Sequence, residues 1–161
     1  MKTIDSVDVL AGLGQYLADH ALAQYSDTGD YLDHPDLPAV LFAGADVPDT
    51  ALVLMVTGYD DRVGDLHVAL AFRAPGHDTR AVDRLADAVY EHFASVLGAH
   101  AGTWEAGTAI ILPTLEWGGL EVLNVERTTR GTPELSSEGK HKGNRYVRTD
   151  TYRITVDRDD E

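Results

Sequence analysis

The sequence predicts a single α+β domain: a mixed, largely antiparallel sheet with two helices packed on one face and a long β-hairpin at the C-terminal end. Three observations predict it. Two stretches, at 6–25 and 78–97, repeat apolar residues every three or four positions. Shorter stretches between turn residues alternate or run apolar in the manner of strands. Their order is helix, two or three strands, helix, two or three strands, without an internal repeat. With 161 residues and 43% hydrophobic content, the chain is long enough to bury one core of its own.

In the first helix Asp5 or Ser6 is placed to cap, and Asp8 carries the sign that the helix dipole favours in a first turn. Val9, Leu10, Leu13, Leu17, Ala21 and Tyr25 make its stripe, and His20 reads as a solvated helix residue. Gly12 and Gly14 each weaken a helix by about 0.5–1 kcal/mol relative to Ala. Close packing must therefore hold it. Residues 26–38 are turn formers with Asp27, Asp30, Asp33, His34 and Asp36 among them. Their spacing fits neither a calcium loop nor a two-histidine zinc site, and the segment reads as a solvated loop.

Residues 39–43 form a short apolar run, and 51–57 read as a strand buried on both faces. A polar turn at 59–65 leads to a strand at 66–73, with Leu66, Val68, Leu70 and Phe72 on one side and His67, Ala69, Ala71 and Arg73 on the other. The short connection predicts an antiparallel hairpin at the sheet centre. Asp78 is placed to cap the second helix, whose stripe is Val82, Leu85, Ala86, Val89, Phe93, Val96 and Leu97. Arg80, Asp83, Arg84, Asp87 and Glu91 lie opposite. Strand pieces at 109–112 and 115–117 follow, with Trp104, Trp117 and Tyr90 as core or rim aromatics, and Gly118-Gly119 turns the chain into the terminal hairpin.

That hairpin ends in a two-sided strand over 143–156. Tyr146, Arg148, Asp150, Tyr152, Ile154 and Val156 share one side; Val147, Thr149, Thr151, Arg153 and Thr155 share the other. The strand is expected to cover core near its end and to display Arg145, Arg148 and Arg153 elsewhere, with Leu120–Thr129 as its partner. Between the two, 131–143 hold one aliphatic side chain, Leu135, too little apolar surface to offset the entropy of ordering. The expectation is a mobile arm at about 131–143.

Charge is unevenly placed. Residues 1–120 hold five Lys/Arg against 18 Asp/Glu, whereas 121–161 hold eight against nine. An acidic body repels nucleic acid and anionic membrane. There is no Cys, hence no disulfide and no Cys nucleophile. The N-terminal residues lack a signal-peptide apolar core, and no run approaches the roughly 20 apolar residues of a spanning helix. Neither secretion by the usual route nor membrane insertion is expected. No nucleophile elbow, zinc-protease helix, phosphate loop or dinucleotide fingerprint occurs, and the seven His are scattered. The expectation is a non-enzyme with no catalytic residue, no metal and no cofactor.

Three segments together resemble the tail terminator (minor tail or minor capsid) proteins of long-tailed bacteriophages, especially those infecting actinobacteria. They are VLAGLGQYLA at 9–18 with its acidic loop; PDTALVLMVTGY at 48–59 leading to VALAFR at 68–73 and a long helix; and NRYVRTDTYRITV at 144–156. The resemblance implies a tail-terminator-like α+β subunit of the virion. Such subunits close into a ring, commonly a hexamer, at the head-proximal end of the tail tube, stop tube growth and provide the head-joining face. Implied partners are other copies of the chain, the tail tube protein and a head–tail connector or neck protein. DNA would pass an acidic lumen without specific binding, and no membrane is involved. A ring contact is heterologous and needs two complementary patches. The expected basic patch, for a neighbour or the tube, is Arg127, Arg130, Lys140, Lys142, Arg145 and Arg148. The alternatives are a neck or head-completion connector of the same assembly, or a small-molecule binding module.

Overall fold

A computed structural model describes residues 3–45, 48–96, 115–136 and 145–158. Its elements are α1 (Ser6–Asp19), β1 (Ala39–Leu41), β2 (Ala51–Asp60), β3 (Asp65–Pro75), α2 (Arg80–Val96), β4 (Leu115–Trp117), β5 (Leu120–Thr129), β6 (Glu134–Ser136) and β7 (Arg145–Val156). One sheet runs β1-β2-β3-β7-β5-β4, with β6 pairing to β7. Only the β1–β2 pair is parallel among these strands. The predicted α+β class, with a mixed and largely antiparallel sheet, is therefore what the chain adopts.

Asp5 caps α1, its Oδ1 accepting the main-chain N–H groups of Val7 and Asp8. At the other end the Leu22 N–H reaches the Leu17 carbonyl at 2.9 Å and the Ala21 N–H reaches Ala18 at 3.1 Å. These are the two bonds of a Schellman stop, and they put Ala21 in the left-handed region at φ 56°. Gly12 is where the helix presses on the sheet: a Cβ there would lie 2.6 Å from Cβ of Trp117. Gly14 similarly admits the Tyr25 ring and Val40. The close packing that two helix glycines demand is supplied by β4 and β1.

α2 lies over β3, β7 and β5 on the same face as α1, because Tyr16 of α1 stacks on Phe93 of α2 at 5.8 Å between ring centroids. The core fills the space beneath, with Leu13 and Leu17 from α1, Val89 and Phe93 from α2, and Leu70, Phe72, Tyr152 and Ile154 from the sheet. Two expectations change here. β2 is buried on both sides only at its start, at Ala51 and Leu52; beyond that the helices cover one side and Met55, on the other, is 44% exposed. The β2–β3 hairpin is displaced from the middle, where β3 pairs with β7 from Asp65↔Thr155 to Pro75↔Arg145.

β5 pairs with β7 as the sequence predicts, over Val122↔Val156 to Thr129↔Thr151. The chain then bends and pairs again as β6, Glu134↔Val147 to Ser136↔Arg145. The expected mobile arm thus includes an ordered strand: three of its residues, 134–136, gain pairing that composition did not foretell, and residues 137–144 lie outside the described residues. Gly131 makes the bend. Its N–H donates to Asp150 Oδ1 at 2.8 Å, and a Cβ would sit 2.0 Å from the Thr149 carbonyl oxygen.

Two substitutions in and beside α1 are predicted to act against helix propensity. Gly12→Ala gains about 0.5–1 kcal/mol of propensity but collides with Trp117, and overpacking of about 1–3 kcal/mol makes it destabilising. Ala21→Gly relieves left-handed strain of about 1–2 kcal/mol at an exposed site and raises stability. Urea unfolding followed by circular dichroism measures both signs.

Candidate functional site

The most concentrated polar chemistry in the described structure lies where β7 passes under α2. Strand alternation puts Arg148 and Asp150 on the side of Tyr152 and Ile154, and both are fully buried. Arg148 Nε donates to Asp150 Oδ1 at 2.9 Å and a terminal nitrogen to Oδ2 at 3.0 Å, a two-pronged match of guanidinium to carboxylate. Its other terminal nitrogen lies 3.0 Å from both Asp83 and Asp87, one turn apart on α2. Arg127 approaches Asp150 at 3.5 Å and lays its guanidinium 3.6 Å from the Tyr90 ring centroid. Arg130 reaches Asp87 at 3.8 Å.

Three guanidinium groups thus meet three carboxylates, and the flank Asp83, Asp87 and Tyr90 of α2 is matched against Arg148, Arg130 and Arg127 in turn. Burial opposes the Arg148 charge, and the bonds to Asp150, Asp83 and Asp87 more than offset it, so its pKa lies above the ordinary value. Burial, with the Asp150 charge added, also raises the Tyr152 phenol. This arrangement is an internal clamp in which Arg148 is bonded to three carboxylates, while Arg127 Nη1 has only its 3.5 Å ion pair and the buried Tyr152 hydroxyl makes no hydrogen bond among the described residues; it is chemically suited to holding elements together.

The sequence-based patch divides accordingly. Arg148 is wholly inside, and Arg145 is buried within 3.6 Å of Asp49, so neither offers a face to a neighbour. That corrects the expectation for both: the strand turns their positions inward and carboxylates of the same chain meet them. Arg127 is mostly covered, Arg130 is about half exposed, and Lys140 and Lys142 lie outside the described residues. Sequence reasoning missed Asp83, Asp87 and Asp150 as partners, although Arg148 and Asp150 share parity with the core residues Tyr152 and Ile154. The 26–38 carboxylates stay apart, and no group of three or more His, Asp or Glu gathers as a metal site among the described residues.

A second cluster joins the far ends of the two helices. Tyr16 Oη is 2.7 Å from His92 Nε2, His20 Nδ1 is 2.8 Å from the Tyr16 carbonyl oxygen, and the His20 and His92 ring centroids are 4.7 Å apart. Burial, with His20 nearby, lowers the His92 pKa and favours a neutral ring. His20 is exposed, as expected, but it is packed against Tyr16 and not simply solvated.

No family model matches the chain, and no curated protein matches it. A solved structure is similar over 99% of this chain and 100% of its own, with a TM-score of 0.53 and 17% identity. At that identity the likeness shows the fold alone, and that protein's name describes no function. No helix of the described residues is long and apolar enough to cross a membrane.

Arg148→Ala strands Asp150 in the interior, and breaking a buried ionic network in this way costs about 3–5 kcal/mol. Chemical denaturation is expected to show a loss of that size, against a small effect for Arg62→Ala at a guanidinium that is 90% exposed.

Proposed function

We propose that this chain is a structural subunit of the tail-terminator kind, without catalytic chemistry, that closes into a ring, hexameric in the simplest case, on a phage tail tube. The ring would end tube growth and meet the head-side connector. The resemblance of the 9–18, 48–59, 68–73 and 144–156 segments supports this reading, and the α+β architecture agrees with what those segments imply.

The observation that carries it is the sheet face the helices leave uncovered. Two register rows cross that face, Val53 with Ala71 and Thr149, and Met55 with Ala69 and Thr151. A sheet face left to water ordinarily alternates polar residues with the core ones. These two rows carry no charge and combine Val53 and Met55 with alanines and threonines, a patch bordered by Arg73 on one side and by His67, Arg153 and Glu126 on the other, on which another subunit could pack. With the cations of β7 answered inside the chain, we infer that shape and apolar burial on this face, rather than a basic hairpin, hold neighbouring copies.

Size-exclusion chromatography with light scattering and negative-stain electron microscopy, on the protein alone and with tube protein, test this. A closed ring is expected, and Met55→Glu, at an exposed site, is expected to abolish it while leaving the melting curve nearly unchanged. A monomer under every condition contradicts the reading. A ring indifferent to Met55→Glu contradicts the assignment of this face.

A further inference from the structure

The cluster that joins the ends of α1 and α2 has the makings of a ligand site independent of any ring. His20 Nδ1 lies 2.8 Å from a carbonyl oxygen, which only accepts, so this nitrogen carries the hydrogen and the His20 lone pair is at Nε2. Tyr16 Oη lies 2.7 Å from His92 Nε2. In the tautomer in which that nitrogen donates to Tyr16, the His92 lone pair is at Nδ1. One residue, Tyr16, then orients both imidazoles, one through its carbonyl and one through its hydroxyl. That is how metal-binding histidines are held from behind.

The spacing agrees. With nitrogen–zinc distances of about 2.0–2.1 Å, two imidazoles sharing one ion at angles between square and tetrahedral place their centroids roughly 4.5–5.2 Å apart. The observed separation is 4.7 Å. His20 is exposed, which leaves a route from solvent, and the half-buried His92 has a rigid seat against Phe93.

We propose that His20 and His92 form a two-histidine site for a divalent transition-metal ion of the zinc or copper type, with Tyr16 as positioning residue and water completing the shell. Imidazole is the ligand such ions share. A bound ion would staple the C-terminal end of α1, at His20, to His92 of α2.

Isothermal titration of chelator-stripped protein with zinc sulfate tests it. One ion per chain is expected, with binding lost in His20→Ala and in His92→Gln and unaltered in His34→Ala. Tyr16→Phe keeps the carbonyl but removes the hydroxyl, and is expected to weaken binding about 10- to 100-fold. Absence of binding, an unaltered isotherm in His20→Ala, or an equal loss in His34→Ala overturns the proposal. Because the probe is the metal alone and the readout is on the free chain, failure here leaves the ring reading intact, and failure of the ring leaves this site intact.

Discussion

A guanidinium buried on an inner strand sets the terms for the rest of this fold. Arg148 stands opposite Phe72 of β3, away from water, where an unanswered charge is not tolerated. Asp150, two residues on and on the same side, answers it first; Asp83 and Asp87 answer it from above. Since strand side chains alternate and helix neighbours recur each turn, these bonds fix both which face of β7 is inward and how far along it α2 sits. Slipping the strand by one residue would expose Ile154 and Val156 and leave Asp83 and Asp87 facing threonines.

The same cluster explains the break in the strand beside it. Asp150 Oδ1, which accepts from Arg148 Nε, accepts as well from the Gly131 N–H between β5 and β6. A glycine is required there because the main chain passes against Thr149. At the opposite edge Arg73 and Arg145 secure the turn into β2, Arg73 donating to the carbonyls of Asp49 and Pro48 and Arg145 standing beside the Asp49 carboxylate. The arginines of β7 are thus paired within the protein, and the acidic excess of the sequence lies in its first 120 residues.

Much of this was legible from the sequence because it is local. The period of residues 80–96 gives α2, the parity of 145–156 gives the inward row of β7, and paired glycines at 118–119 give the turn between β4 and β5, where both adopt positive φ. Gly12 and Gly14 even announced close packing without naming its partner. What stayed hidden is pairing between distant residues. Arg148 looked like display because arginine ordinarily is, and the carboxylates that reverse this are 61 and 65 positions earlier on a helix face that reads as polar. β6 was missed because Thr-Pro-Glu-Leu-Ser has no strand propensity of its own, and pairing with β7 overrides it. His20 and His92 belong to helices whose crossing no periodicity encodes.

The central claim is that Arg148 is fully buried and held by Asp150, Asp83 and Asp87. Solvent exchange of its Nε–H, followed by nitrogen-resolved NMR at neutral pH, measures this directly. The account predicts exchange slowed to that of the β7 main-chain amides, orders of magnitude below the exposed Arg62. Exchange of Arg148 as fast as that of Arg62 would contradict it.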